Sequence, residues 1–360
     1  FMKAAVCRAF GEPLSIEEVK LAAPRAGEIE VDVKACAICH SDISFADGAW
    51  GGPLPAVYGH EAAGIVKRTG RGVTAVKPGD HVVVTLIRYC GDCHYCNQGS
   101  QVMCEEVFPL DRKGPISDAA GPLEQSMRTG AFAERVVVHH SQAVKIPKSV
   151  PFASASLLAC GVITGFGAVA NTADVKPGQN VAVIGCGGVG LNAVQGAAHC
   201  GAGKIIAIDL APSKLKDAKR FGATHGLNPA TDDVAAKIRK LTSGRGVDYV
   251  FVTVGAVGAL EGAFDYITKN GSVVVVGMPA SGVFAKYDPA TLAAWNQKII
   301  GSKMGEAVIA RDIPRLVRAY RKGELKLDEL VSNTYRLEEI NEAIAEVKSG
   351  TVKRNVIVFD

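Results

Sequence analysis

The chain has 360 residues, which is enough for two domains with a large buried core. Its net charge is only +4, and no basic run is interleaved with aromatic residues, so the sequence excludes a nucleic-acid partner. No apolar segment approaches the roughly 20 residues that span a bilayer, and Lys3–Val6 is typical of a strand, not of a signal peptide. The ten cysteines therefore favour thiol or metal chemistry over disulfides, and we expect a cytoplasmic protein with no membrane partner.

The first 90 residues predict a mostly antiparallel β domain. Ile29–Ala35 alternates apolar and polar side chains, as a half-buried strand does, and further strands are predicted over 64–67 and 80–87. Two short segments with potential metal ligands lie among these strands. Cys39–Asp42 follows the alternating strand, and Gly59–Glu61 follows a loop that is rich in glycine and proline.

The densest signal is a group of four cysteines with the spacing C-x2-C-x2-C-x7-C, namely Cys90, Cys93, Cys96 and Cys104. Four thiolates so close in sequence can surround one tetrahedral zinc ion without help from other segments. An iron–sulfur cluster is the alternative that this spacing leaves open. A closed four-cysteine site has no free position for a substrate, so we predict a structural role for this metal.

After the cysteines, residues 105–130 are predicted as a long polar loop and Phe132–Val138 as a strand. Helices are predicted over Val150–Gly161, a segment that carries Cys160, and over Thr164–Asn171.

A glycine turn follows the short apolar run Val181–Ile184, which is typical of a buried parallel strand. Gly185, Gly187 and Gly190 have the G-x-G-x-x-G spacing, which permits a tight turn, close approach of the backbone to a pyrophosphate, and close packing of helix on strand. Asp209 ends the next predicted strand, nineteen residues after Gly190, where an acid that binds ribose is expected. The pattern predicts dinucleotide binding, whereas an ordinary strand–helix–strand unit is the simpler alternative.

From residue 181 the chain alternates strands and helices, as a doubly wound parallel sheet requires. Strands are predicted over 181–184, 204–208, 225–227, 249–254 and 272–276, and helices over 189–200, 213–221, 231–242 and 257–269. After Gly301, helices are predicted over 313–320 and 337–348, and the strand Asn355–Phe359 is expected to return to the first domain.

Together these motifs resemble the zinc-dependent medium-chain alcohol dehydrogenases over essentially the whole chain, through Cys39–Asp42, Gly59–Glu61, the four cysteines, Cys160, the glycine turn, Asp209 and Lys353–Val356. The resemblance implies an α/β protein with a GroES-like catalytic domain over 1–160 and 299–360 and a Rossmann domain over 161–298. The structural zinc lobe would cover 88–106. The long segment after Cys104 is similar to that of the dimeric animal and plant members, so a homodimer is expected, with a homotetramer as the alternative.

The resemblance also implies a catalytic zinc bound by Cys39, His60 and Cys160, so that each chain would carry two zinc ions. Two thiolates and one imidazole would leave one free position on the metal. Glu61 is expected to approach this zinc, and Asp42 to orient the histidine ligand. Without the family pattern, Cys39 and Cys160 would be interpreted as buried core cysteines and His60 as a turn histidine.

The implied reaction is a reversible hydride transfer between a primary alcohol, or alternatively a secondary one, and NAD, which gives an aldehyde or a ketone. Ser41 matches the hydroxyl that contacts the reacting oxygen in this family. A histidine often stands three residues later and ends the proton relay, but this chain has Ser44 there. We therefore expect a weaker base at this point, with Ser44 acting through water, or another base.

Cofactor contacts are carried over from the family to His40, Thr164, Gly185, Gly187, Gly188, Val189, Gly190, Asp209, Lys214 and Arg354. The carboxylate of Asp209 would repel the 2′-phosphate of NADP, and neither Leu210 nor Ala211 attracts one, which favours NAD.

The expected substrate pocket is apolar and lined by Trp50, Leu86, Phe132 and Met278. It predicts medium-chain or aromatic alcohols and aldehydes as small-molecule partners. Three alternatives remain open: a glutathione-adduct (formaldehyde) dehydrogenase, a polyol dehydrogenase, and a crystallin-like protein that binds a dinucleotide without turnover. The first is weakened because Phe108 stands near where such enzymes use an arginine, and the nearest downstream arginine is Arg112.

Overall fold

In the computed structural model, which describes residues 1–360, the chain forms two units. The first unit combines Phe1–Cys160 with Val308–Asp360, and the second is Gly161–Ala307. The second unit extends past the boundary at 298 that the sequence suggested, because the strand Lys298–Gly301 pairs with the parallel sheet of that unit. The predicted return of the last strand to the first unit is observed.

The strands are, in chain order, β1 (Met2–Cys7), β2 (Ser15–Leu21), β3 (Glu28–Ala37), β4 (Ala56–Val57), β5 (Glu61–Thr69), β6 (His81–Val84), β7 (Ile116–Ser117), β8 (Glu124–Gln125), β9 (Arg135–His139), β10 (Ala143–Lys145), β11 (Val181–Ile184), β12 (Ile205–Ile208), β13 (His225–Leu227), β14 (Val247–Val252), β15 (Ile267–Val275), β16 (Lys298–Gly301), β17 (Val331–Tyr335) and β18 (Arg354–Val358).

The helices are α1 (His40–Ala46), α2 (His94–Asn97), α3 (Pro109–Arg112), α4 (Phe152–Ser156), α5 (Gly161–Gly167), α6 (Gly188–His199), α7 (Pro212–Arg220), α8 (Val234–Leu241), α9 (Val257–Gly262), α10 (Pro289–Ala294), α11 (Ile309–Arg321) and α12 (Ile340–Ser349). Short 3-10 turns connect several of them, including Leu157–Ala159, which leads into Cys160.

The first unit contains two sheets, and most of their strand pairs are antiparallel, as predicted. One sheet has the order β7-β2-β1-β4-β8, and the other has the order β10-β6-β5-β3-β18-β17, with β9 also paired to β3. Strand β3 is central because it pairs with β5, β9 and β18. Its apolar residues, among them Ile29, Val31 and Val33, lie in the core of this unit.

The second unit contains a six-stranded parallel sheet with the order β13-β12-β11-β14-β15-β16. This is the strand order of a dinucleotide-binding Rossmann fold, so the predicted fold class is confirmed. The predicted helix over 257–269 is wrong in its last residues, because Ile267–Lys269 belong to β15. The branched side chains of Ile267 and Thr268 suit a buried strand.

The segment 105–130, predicted as a loop, contains α3, β7 and β8, each only two to four residues long. Such short elements carry too little periodicity to be recognised in a sequence. No single helix is both long and apolar enough to cross a membrane, although Phe152–Ala159 and Gly161–Thr172 together pass a test of length and composition.

Candidate active site

The strand ends of the first unit bring distant residues together. Strand β3 ends just before Cys39, and β5 begins just after His60, with Ala37 opposite Glu61 in the antiparallel register. Strand β18 pairs with the other edge of β3, with Val356 opposite Ala37, so Arg354 comes level with residue 39. The local pairing therefore assembles Cys39, His60 and Glu61 at one end of a sheet.

The buried cluster consists of Cys39, His60, Glu61 and Cys160, whose ligand atoms all lie within 4.8 Å of one another. None of the four residues is more than 7% exposed. Cys160 arrives from the turn after α4, a hundred residues from the others, as the family resemblance implied. Two sulfurs, one imidazole and one carboxylate at this spacing form a donor set that suits zinc.

Asp42 connects two members of the buried cluster. It is the third residue of α1, and one carboxylate oxygen accepts the backbone N–H of Cys39 at 3.0 Å. The other oxygen lies 3.0 Å from Nδ1 of His60 and also accepts the N–H of Gly59 at 2.9 Å. This arrangement leaves Nε2 of His60 for a metal, as predicted for a carboxylate that orients a histidine ligand.

Proton affinities in the cluster are strongly altered. Contact with Cys160 and with His60 lowers the pKa of the Cys39 thiol well below its ordinary value, which favours the thiolate that a metal requires. Burial would lower the pKa of His60, but Asp42 and Cys39 raise it well above the usual range.

Glu61 and Arg354 form a buried ion contact beside these ligands. Nη2 of Arg354 lies against Oε1 of Glu61, and neither oxygen of Glu61 nor Nε and Nη2 of Arg354 has a hydrogen-bond partner. Burial raises the pKa of Glu61 to about 7, although Arg354 opposes this shift. The sequence suggested a cofactor contact for Arg354 and did not predict its pairing with Glu61. Only the register of β18 on β3 reveals this pairing.

The predicted relay hydroxyls lie on α1, next to the buried cluster. The hydroxyl of Ser41 is 3.7 Å from the sulfur of Cys39. Ser41 and Ser44 are both partly exposed, whereas His40 is exposed at the start of the helix.

The four-cysteine lobe forms a second cluster around α2. Its sulfur–sulfur distances include 3.7 Å from Cys104 to Cys90, 3.9 Å from Cys93 to Cys104, and 4.0 Å from Cys90 to Cys96. Two sulfurs bound tetrahedrally to one zinc at about 2.3 Å would lie about 3.8 Å apart. The residues therefore fit a zinc ion. Backbone N–H groups of Cys96 and Glu105 lower the pKa of Cys93 to about 6.

The glycine turn lies between β11 and α6 in the second unit. A Cβ atom on Gly190 would lie 1.7 Å from the carbonyl oxygen of Gly185, so only glycine permits this packing of helix on strand. A Cβ atom on Gly187, just before α6, would have no other atom within 4 Å, so the space beside this residue is open. Gly185 has a φ of +91°, which favours glycine. This opening at the start of a twelve-residue helix fits a pyrophosphate.

Asp209 directly follows β12, where the sequence placed it. Its carboxylate accepts the N–H groups of Cys186, at 2.8 Å, and of Ala211, at 2.9 Å. These bonds hold the side chain beside the glycine turn. Three further residues with expected cofactor contacts in this unit are half-buried, namely Gly188, Val189 and Lys214. Thr164 is buried, and its hydroxyl lies 3.6 Å from the sulfur of Met304.

The four expected pocket residues differ in exposure. Trp50 packs edge-on against Phe45 with ring centres 5.1 Å apart, and it is half-buried, as is Leu86. Phe132 has no exposed surface and lies in the core of the first unit, and its place in a pocket wall stays a prediction. Met278, in the second unit, is 68% exposed. The sequence could not separate core from pocket at these positions, because both are apolar.

Two family models match the chain: an alcohol dehydrogenase GroES-like domain over residues 25–148 and a zinc-binding dehydrogenase domain over 188–321. The NDMA-dependent alcohol dehydrogenase of Amycolatopsis methanolica is 38% identical over 99% of this chain and 98% of its own length. A probable S-(hydroxymethyl)glutathione dehydrogenase 1 of Schizosaccharomyces pombe is 37% identical, covering 99% and 96%.

Among solved structures, the benzyl alcohol dehydrogenase of Acinetobacter calcoaceticus is similar with a TM-score of 0.93 and 34% identity, over 100% of this chain and 99% of that one. These matches extend over both units. The chain therefore belongs to the zinc-dependent medium-chain alcohol dehydrogenase family and is an alcohol oxidoreductase.

Proposed function

We propose that the chain transfers hydride reversibly between primary alcohols and NAD, with aromatic and medium-chain alcohols favoured. The observation that carries this proposal is the buried cluster: Cys39, His60 and Cys160 come from three distant segments and converge within 4.8 Å. A core packed for stability alone has no need to bring two thiols, an imidazole and a carboxylate together. All three ligands expected for an open catalytic zinc are present, which disfavours the non-catalytic, crystallin-like alternative.

Cys39, His60 and Cys160 would hold the catalytic zinc, with Glu61 as an additional donor within reach. A bound zinc would supply Lewis-acid charge for the reacting oxygen. Asp42 would fix the ring of His60, and the low exposure of the cluster would keep water away from the chemistry.

Ser41 is proposed to accept the proton of the alcohol, because its hydroxyl lies beside Cys39. Ser44, one helical turn later, would pass the proton on through water. A hydroxyl is a poor terminal base, so proton release is expected to depend on solvent bases more than in relatives with a histidine at this position.

For the cofactor, we propose NAD bound through Gly185, Gly187, Gly188 and Gly190, with the ribose diol on Asp209. The open space at Gly187 and the negative charge of Asp209 support this assignment over NADP. His40, Thr164, Val189, Lys214 and Arg354 remain further proposed contacts. Arg354 would need to exchange part of its contact with Glu61 to reach a phosphate.

A second, structural zinc is proposed for Cys90, Cys93, Cys96 and Cys104, so that each chain holds two zinc ions. Their sulfur–sulfur distances support this ion over a dispersed set of free thiols. Because six cysteines would serve as metal ligands, the protein requires a reducing compartment, and we propose the cytoplasm.

The chain is proposed to form a homodimer through β16. This strand is the outer edge of the six-stranded sheet, and an unpaired edge can pair with a second copy. Large apolar side chains are exposed on this strand and in the segment that precedes it in the chain, among them Ile299 at 42%, Phe284 at 86% and Tyr287 at 52%. Analytical ultracentrifugation would test this: Ile299→Lys should give monomers, and a homotetramer in the unmodified protein would contradict the proposal.

Substrate choice is the finest part of the proposal. One structural relative is a benzyl alcohol dehydrogenase, which supports an aromatic substrate, as do the half-buried rings of Phe45 and Trp50 at α1. The glutathione-adduct alternative is supported by the similarity to the Schizosaccharomyces pombe protein. A polyol substrate has no observation in its favour.

A substrate panel tests the function. Benzyl alcohol, hexanol, sorbitol and S-hydroxymethylglutathione would be compared by NADH absorbance, with NADP as a second acceptor and NDMA as a third, since one relative is NDMA-dependent. Benzyl alcohol with NAD should give the highest kcat/KM. One zinc per chain, together with no alcohol-dependent reduction of any acceptor, would refute the proposal.

A further inference from the structure

The first unit contains a cavity that the proposed reaction does not use. Its volume is about 1010 Å³, and its walls come from β2, from residues 53–55, from Arg88 and from the segment 110–128. No member of the buried cluster or of the four-cysteine lobe lines it. The volume is at the upper end of the range that small-molecule sites occupy, about 300–1,000 Å³.

The ionic side chains that line the cavity carry a net positive charge. Five are cationic, namely Lys20, Arg88, Arg112, Lys113 and Arg128, and three are anionic, namely Asp111, Asp118 and Glu124. Two of the carboxylates are already neutralised by the protein. Asp111 pairs with Arg88 at 2.8 Å and lies 3.7 Å from Arg128, and Asp118 pairs with Arg8, outside the cavity, at 2.6 Å.

Three cations of the lining remain without a carboxylate partner: Lys20, Arg112 and Lys113. Glu124 is the one remaining carboxylate. Arg88 is not available to bind a ligand, because its three nitrogens already donate hydrogen bonds to Gln142, Asp111 and the carbonyl of Arg128. Lys20 lies on β2, whereas Arg112 is the last residue of α3 and Lys113 follows it, so two separate segments supply the free cations.

Another part of the wall is apolar, next to the polar side chains of Ser117 and Gln125. Leu110, Ile116 and Leu123 are buried, whereas Leu54 and Met127 are half-buried. A ligand that matches both parts has an acidic head for the cations and an apolar body for these side chains.

We propose that this cavity binds a small organic anion with an aromatic or aliphatic body and a carboxylate or phosphate-monoester head, held by Lys20, Arg112 and Lys113. Glu124 limits the affinity, because it adds negative charge to the same wall. The site is separate from the proposed active centre, so the ligand is neither the alcohol nor NAD.

Isothermal titration calorimetry on the zinc-loaded protein at pH 8 tests this, with saturating NAD present to occupy the dinucleotide site. The probes are benzoate, phenyl phosphate, inorganic phosphate and benzamide, which matches benzoate in shape but is neutral. Benzoate or phenyl phosphate should bind, and the comparison identifies the preferred head group. Binding of benzamide with equal affinity, equal binding of inorganic and phenyl phosphate, or binding of no probe would overturn the proposal.

Substitutions of the lining residues test whether the probes bind in this cavity. The combined change Lys20→Gln, Arg112→Gln and Lys113→Gln should weaken the better probe at least about tenfold. Glu124→Gln should strengthen it about two- to fivefold, a gain that misfolding cannot produce. The matched control removes three exposed cations at the end of α11 and directly after it, with Arg318→Gln, Arg321→Gln and Lys322→Gln, and should leave the affinity unchanged. Unchanged binding in both cavity variants, or an equal loss in the control, would refute the site.

Discussion

The two cysteine clusters of this chain are built in opposite ways. The lobe takes four ligands from fifteen consecutive residues, and three of them are only partly buried. The buried cluster takes Cys39, His60 and Cys160 from segments that meet only because β3, β5 and the turn after α4 are in place. The lobe can thus form locally, whereas the other site depends on the completed fold. A local, closed site suits stability, and a buried site with mixed ligands suits chemistry.

The largest effect is expected from Cys39→Ser. Turnover of benzyl alcohol should fall at least about a thousandfold, because the site loses a thiolate ligand and several kcal/mol of charge stabilisation at the reacting oxygen. The Tm should change little. NADH absorbance and calorimetry measure these two quantities. Cys36→Ser is the matched control, since Cys36 is buried but belongs to neither cluster. Near-normal turnover in Cys39→Ser would contradict the assignment of chemistry to the buried cluster and of stability to the lobe.

Cys93→Ser should produce the reverse pattern. The free energy of unfolding should fall by more than about 4 kcal/mol because a structural metal is lost, and the Tm by about 10 °C. Turnover per folded molecule should be retained. Cys200→Ser controls for the loss of a partly buried thiol outside both clusters. A stable Cys93→Ser protein that has lost its activity would show that the lobe acts in the chemistry.

Asp42→Asn tests whether the buried cluster depends on its supporting carboxylate. Zinc affinity or turnover should fall about 10- to 100-fold, because the charge that orients His60 is removed. Asp47→Asn, at the other end of α1, removes an exposed ion pair with Lys348 and should have little effect. Chelator titration and steady-state kinetics separate metal loss from slower turnover. Equal effects of the two substitutions would contradict a specific role for Asp42.

The smallest effect is expected away from both clusters. Asp209→Asn should reduce the preference for NAD over NADP about tenfold, because a charged hydrogen-bond acceptor is replaced by a neutral one. Zinc content should not change. Asp217→Asn, on the following helix, is the control. The ratio of kcat/KM for the two cofactors measures the effect, and an unchanged ratio would exclude Asp209 from ribose recognition.

The same contrast between a local and a long-range ligand set explains which features could be predicted from the sequence. The lobe and the glycine turn were recognisable because all their defining residues are close in sequence, and β11 and β13 have the predicted bounds. Cys160 could be joined to Cys39 only through family resemblance. The contact of Arg354 with Glu61 had no sequence signal at all, because it depends on the register of β18 on β3. The burial of Phe132 beside Gly59 is likewise a tertiary property that the sequence could not show.

The compact ligand set of the lobe has a consequence for the order of metal loading in the cell. All four lobe cysteines have left the ribosome once residue 104 is exposed, whereas Cys160 follows fifty-six residues later. At typical rates of synthesis this interval is about 3 to 11 s. The partner of Glu61 emerges later still, because Arg354 is near the end of the chain. We therefore expect the nascent chain to capture its first zinc ion in the lobe, before the second site exists.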